Sequence, residues 1–217
     1  MARIVEESAE APGRRRRRRE ETREALIVAA LEIIEEYGPG SLTTVNVTKA
    51  AGLAQSGFYA HFRDVDDLKQ AAAEVVAGEV RQFLTEQYRQ RAEGQPADPE
   101  GLSVFFRAVI GLYLSHGHLP ELLAPCRLDA SPLGDVMRSL LADLRTGLVA
   151  ATTRQLQRLG VAQPDPARVG AYAEFVVAMG LAAGEGILGG RVGDPEALAR
   201  DLALAALGAG KAMFFTL

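Results

Sequence analysis

The chain has 217 residues, of which 48% are hydrophobic, 24% charged and 6% aromatic. That is enough apolar material for one large or two small cores and too much for a disordered chain. The net charge of −4 argues against general electrostatic coating of nucleic acid, and the single cysteine, Cys126, excludes an internal disulfide and suits a reducing cytoplasm.

The first ten residues lack the apolar stretch of a secretion signal. Later apolar stretches are interrupted by Arg107, by Glu174 and Glu185, or by Arg200, Asp201 and Lys211. No uncharged window of roughly 18 apolar residues is therefore expected, which points to a cytoplasmic protein with no membrane partner. Charge is uneven: residues 1–63 hold ten arginines and lysines against nine glutamates, so the remaining residues carry −5. Six of those cations are consecutive, Arg14 to Arg19, and residues 1–19 read as a disordered arginine-rich arm.

From Glu20 a helical period begins, with Leu26, Ala30, Ile33 and Tyr37 on one face. "GPGS", Gly38 to Ser41, ends it. Thr43 is placed to cap a short second helix that turns Val47 and Ala51 inward. Gly52 supplies a left-handed residue for a tight turn, and a third short helix is expected from Gln55 to His61. Asp64 then caps a long fourth helix through Leu68, Ala72, Val75, Val76, Phe83 and Tyr88, with Asp66 and Asp67 in its first turn. Beyond "AEGQPADPE", Asp98-Pro99, Ser131-Pro132, Asp165-Pro166 and Asp194-Pro195 each set a capping residue before a proline. They predict helices over about 102–116, 133–159, 167–188 and 196–215, with a shorter piece near Leu119 to Ala124. No segment alternates with period two, so the fold is all-α.

A short helix, a glycine turn and a second short helix form the helix-turn-helix pattern, whose second helix enters the major groove. Val47 and Ala51 can meet Leu53, Phe58 and Phe62, leaving Gln55, Ser56, Tyr59, Ala60 and His61 outward. Glutamine can read adenine edges, and tyrosine and histidine can donate to phosphates.

The stretch "EALIVAALEIIEEYGPGSLTTVNVTKAAGLAQSGFYAHFRDVDDL", Glu24 to Leu68, resembles the head of a tetracycline-repressor (TetR) family regulator. The matching pieces are a first helix ending in Tyr-Gly, a threonine before the second helix, "AAGL", "GFYAHF" and an acidic helix start. The resemblance implies a three-helix DNA-binding domain, residues 20–66, a helical ligand-binding and dimerisation domain, residues 67–217, and a homodimer reading a palindromic operator. It also implies phosphate contacts from Thr43, Tyr59 and His61, and base or nearby backbone contacts from Gln55, Ser56 and Gly57, with Lys49 as a further phosphate ligand. Two positions depart from the family pattern. Ala54 replaces the usual hydroxyl cap of the recognition helix, and Val65 replaces the usual lysine. Arg63 or the arginine run then stands to compensate, the run lying along the backbone or in the minor groove.

In the larger domain, Phe105, Phe106, Ile110, Tyr113, Leu140, Leu144, Tyr172, Phe175 and Met179 are candidate lining residues of a pocket. Gly170, Ala173, Val177, Gly180 and Gly184 form a small-residue stripe suited to close approach by a helix of a partner subunit. Arg107, Glu174 and Glu185 stand on apolar faces and require a partner or a ligand. His116, His118 and Cys126 fall short of a closed zinc ligand set, so neither a metal nor a cofactor is expected. The reading is of a repressor released from DNA by a small, largely apolar effector. The alternatives are an activator or architectural binder without an effector, and a helical enzyme using Glu174, Glu185 or the His116/His118 region; no nucleophile-base pair or cofactor loop supports the last.

Overall fold

The computed structural model describes residues 12–92, 98–115 and 131–215, and among them there is helix and turn but no strand. The expected short piece at Leu119 to Ala124, together with His116, His118 and Cys126, lies outside the described residues. Two compact units divide the chain, residues 1–72 and 73–217.

In the first unit α1 (Pro12–Tyr37) is followed by a 3-10 turn (Pro39–Ser41), α2 (Thr44–Ala50), α3 (Gln55–Phe58) and the start of α4 (Val65–Ala92). Leu26, Ala30, Val47, Phe58 and Leu68 are fully excluded from solvent in one core. Leu68 and Ala72 belong to that core, so the unit extends past the expected boundary at residue 66.

Three local expectations change. Residues 12–19 are helical rather than disordered: arginine is a good helix former, and Arg16 and Arg17 pair one turn on with Glu20 and Glu21 at 2.9 and 2.8 Å. Tyr37 is 65% exposed, because Ile33 and Ile34 fill the inward positions and Gly38, at φ 81°, turns the chain away. The third helix ends at Phe58 instead of His61, and Tyr59 to His61 continue as a turn closed by Phe62 N–H on Phe58 O at 3.0 Å.

The second unit comprises the rest of α4 with α5 (Pro99–Ser115), α6 (Pro132–Arg158), α7 (Pro166–Leu188) and α8 (Pro195–Phe214). Each of the four Asp/Ser-Pro starts carries its cap. Asp98 accepts from Gly101 N–H, Ser131 from Gly134, Asp165 from Ala167, and Asp194 from both Glu196 and Ala197. α5 packs mainly on α8, where Ala199, Ala203 and Ala206 are fully buried and let the helices approach. α7 packs on α5, α6 and α8. By length and composition alone α7 is long and apolar enough to cross a membrane, even with Glu174 and Glu185, the charges expected to interrupt such a span, inside it.

Within the small-residue stripe of α7, Gly180 and Gly184 face this chain's own α5. Gly180 lies against Val109, and Gly184 lies so close to the ring of Tyr113 that an added methyl would fall inside it. Tyr113 is itself buried. Gly184→Ala is therefore expected to destabilise the protein by about 1–3 kcal/mol, the usual cost of overpacking. Gly180→Ala, whose methyl would sit at an ordinary 3.7 Å from Val109, should cost nothing or stabilise slightly through helix propensity. Urea unfolding of the two variants checks the contrast.

Candidate nucleic-acid interface and larger-unit cavity

Thr43 begins the first site as the cap of α2. Its Oγ1 accepts the Asn46 N–H at 3.2 Å while Asn46 Oδ1 accepts the Thr43 N–H at 2.8 Å. The hydroxyl proton of this exposed threonine stays available to an outside acceptor. Gly52, at φ 67°, makes the turn into α3, and Leu53 N–H closes it on Thr48 O at 2.8 Å. Ala54 starts α3 with no side-chain cap. Phe58 and Phe62, 0% and 3% exposed, lock the segment into the core with ring centroids 5.8 Å apart. Gln55, Ser56 and Tyr59 are consequently turned to solvent, Tyr59 at 60% exposure with its ring edge-on to Phe58. Gln55 Nε2 lies 3.5 Å from Thr44 Oγ1, a reach too long to hold it. Gly57 borders open space that a side chain would fill.

Two residues outside the sequence-based expectation join this surface. Arg19 Nη2 donates to Ala60 O at 3.2 Å, and the Arg23 guanidinium lies 5.0 Å over the Phe62 ring. They fix the amino-terminal half of α1 beside the recognition turn, so the arginine run starts from it. Their spacing of four residues, continuing into Ile27, is the legible signal. His61 is partly buried, and burial, reinforced by the charges of Arg19 and Arg23, lowers its pKa below the ordinary histidine value.

Arg63 and Lys49 are placed differently. Arg63 N–H donates to Asp67 Oδ2 at 3.0 Å and its Nε lies 3.5 Å from the same oxygen. That backbone hydrogen bond chiefly holds the Asp67 carboxyl below its usual pKa. Lys49 lines a shallow groove with Glu32, Glu36 and Tyr37 of α1.

The second unit contains a cavity of about 660 Å³, in the range of small-molecule sites. Of the expected lining residues it takes Phe105 and Tyr172. Phe106, Tyr113, Leu140 and Leu144 instead border a separate void of about 70 Å³, Ile110 is core, and Phe175 is 40% exposed; neither space is lined by Ile110, Phe175 or Met179. α6 supplies much of the wall, through Leu148, Thr152, Gln155 and Leu156, together with Arg154 and Arg158. Tyr88 of α4 crosses the wall over Gly147, where a methyl would meet its ring at 2.6 Å, and donates to Leu144 O at 3.3 Å. Arg107 pairs with Glu196 at 2.9 Å. Arg145 Nε lies 2.5 Å from Glu174 Oε1 without the alignment of a hydrogen bond. Glu185 stands close enough to Tyr113 to reinforce the rise in phenol pKa that burial causes.

A capped helix, a glycine turn and an anchored recognition turn with an outward glutamine, serine and tyrosine define the head of a DNA-binding transcriptional regulator. Residues 26–72 match the model of the bacterial regulatory proteins of the tetR family, a match confined to the amino-terminal head of the chain. The fold is similar to that of the transcriptional regulator FadR from Bacillus subtilis, in complex with stearoyl-CoA, at 18% identity over 86% of this chain and 98% of that one, with a TM-score of 0.67. The fatty acid degradation regulator FadR from Bacillus halodurans matches at 16% identity over 93% and 97%, TM-score 0.67. A tetR-family regulator from Mesorhizobium loti matches at 17% identity over 90% and 97%, TM-score 0.70.

The lowered His61 pKa has a stability consequence. Between the folded value and the unfolded value near 6.5 the unfolded chain binds more protons, so stability falls as pH drops below about 6.5. His61→Gln should flatten the fall in urea midpoint between pH 7.5 and 5.5 relative to the parent. Parallel profiles would mean that the imidazole titrates alike in both states.

Proposed function

We infer that the protein is a ligand-responsive repressor that binds a palindromic operator as a homodimer and leaves it when an apolar effector occupies the larger unit. The observation that carries the DNA half is the rigid presentation of Gln55, Ser56 and Tyr59 over buried Phe58, beside an arginine-rich helix end. Thr43 and His61 flank that surface as phosphate donors, and Gly57 admits a backbone approach. The effector half rests on the 660 Å³ cavity. The complex of the Bacillus subtilis neighbour with stearoyl-CoA supports a lipid-like effector here. α4 contributes Leu68 to the first core and Tyr88 to the cavity wall, so a ligand that moves Tyr88 biases the helix that both units share.

The dimer is assigned to the exposed face of α7. Ala171, Phe175, Ala178 and Ala182 recur at helical spacing and are all exposed, as are Leu204 and Gly208 of α8 and Phe215 just after it. A charge at the centre of such a stripe would have to be desolvated in a dimer. Phe175→Glu should therefore weaken self-association at least roughly tenfold, about 1.4 kcal/mol, in sedimentation, and lower operator affinity with it. An unchanged dimer would move the interface off α7.

DNA recognition is tested by binding to single-base operator variants at several salt concentrations. Tyr59→Ala should weaken operator and random DNA alike, because a phosphate contact carries no sequence information. Gln55→Ala should relax discrimination at one base pair by about 1–3 kcal/mol. Replacing Arg14 to Arg18 with glutamine should make the salt dependence shallower by about 0.9 for each phosphate that is no longer neutralised. Equal losses on every sequence for Gln55→Ala would remove it from base reading, and an unchanged salt slope would leave the run a solvated helix end.

A further inference from the structure

The large cavity is polarised. Of its lining, Arg154, Arg158 and Lys211 are exposed, while Leu102, Phe105, Leu148 and Val176 are almost wholly buried. The small void beyond shares four lining residues with it: Tyr88, Phe105, Leu148 and Val176. Those four residues are the partition between the two spaces. Its aromatic part is a stacked pair, Tyr88 and Phe105, with ring centroids 6.1 Å apart. Tyr88 is held across α6 by its hydrogen bond to Leu144 O and by the absence of a side chain at Gly147. The void's 70 Å³ has room for about two water-sized groups, and its walls are nearly all apolar.

We propose that the cavity takes a linear apolar chain with an anionic head, the head at Arg154, Arg158 and Lys211 and the tail pointing at the Tyr88–Phe105 partition, so that the partition gauges chain length. This rests on the effector reading above and specifies its site. An exposed cluster of three cations favours a carboxylate or phosphoryl head over an uncharged one. The buried apolar part of the wall favours each added methylene until the tail meets the ring pair. A longer tail fits only by turning Tyr88 aside, breaking its bond to Leu144 O and opening the void.

The test is calorimetric titration of delipidated full-length protein with saturated fatty acids of increasing length, the primary alcohols of equal length, and alkyl phosphates. The acids and phosphates are expected to bind at least tenfold more tightly than the alcohols; the acid-to-phosphate ratio identifies which head is preferred. Arg154→Gln combined with Lys211→Gln, which leaves only Arg158 of the three, should sharply reduce that advantage. Affinity should rise roughly fourfold per methylene up to a limiting length. Tyr88→Leu should move the limit to longer chains. Equal binding of acid and alcohol in the parent overturns the head assignment, and an unmoved limit in a folded Tyr88→Leu overturns the gauge. Operator release measured in parallel separates the two readings. Release by uncharged apolar compounds with no preference for acids sinks this proposal and leaves the repressor reading standing; absence of operator binding in the ligand-free protein sinks the repressor reading itself.

Discussion

The recognition segment is one turn of helix, Gln55–Phe58, and a single turn fixes more backbone than its few hydrogen bonds repay. Its shape is therefore set from beneath, by Phe58 and Phe62 in a core built from α1, α2 and the start of α4. Everything outward depends on that burial. Gln55 and Tyr59 point to solvent because Phe58 points away from it, and Ala54 can dispense with a hydroxyl cap because packing, not capping, holds the turn. Arg23 over the Phe62 ring and Arg19 on the Ala60 carbonyl extend the same anchor to the surface.

How much of this was legible in the sequence follows from how local each determinant is. The four proline-led helix starts were readable because a cap and its proline are adjacent residues, and the structure begins helices at Pro99, Pro132, Pro166 and Pro195. Gly52 was readable for the same reason, a single residue with a single conformational role. The helical state of the arginine run was not, because composition alone treats like charge as repulsive and overlooks the glutamates one turn on. The cavity was the least legible. Periodicity finds the apolar face of each helix, but whether Phe106 or Leu156 borders a space depends on how five helices stack, and Tyr88 reaches the wall only because Gly147, far along the chain, leaves room.

The small residues of α7 show the limit of pattern reading in another way. Gly180 and Gly184 do mark a close approach, and that inference was sound; the sequence did not say to what. The neighbour is the chain's own α5, which comes near enough that Tyr113 occupies the space a side chain would need. The faces of α7 thus divide their work: small residues inward for tight packing, and Phe175 with its alanines outward.

The helical form of the arginine run changes what six consecutive cations can do. Successive residues on a helix turn by about 100°, so Arg14 to Arg19 wrap more than a full circumference and form a collar, not a stripe. No flat polyanion can touch more than about a third of them at once. A collar presents positive charge in every direction about the helix axis. It trades the number of simultaneous contacts for tolerance of orientation.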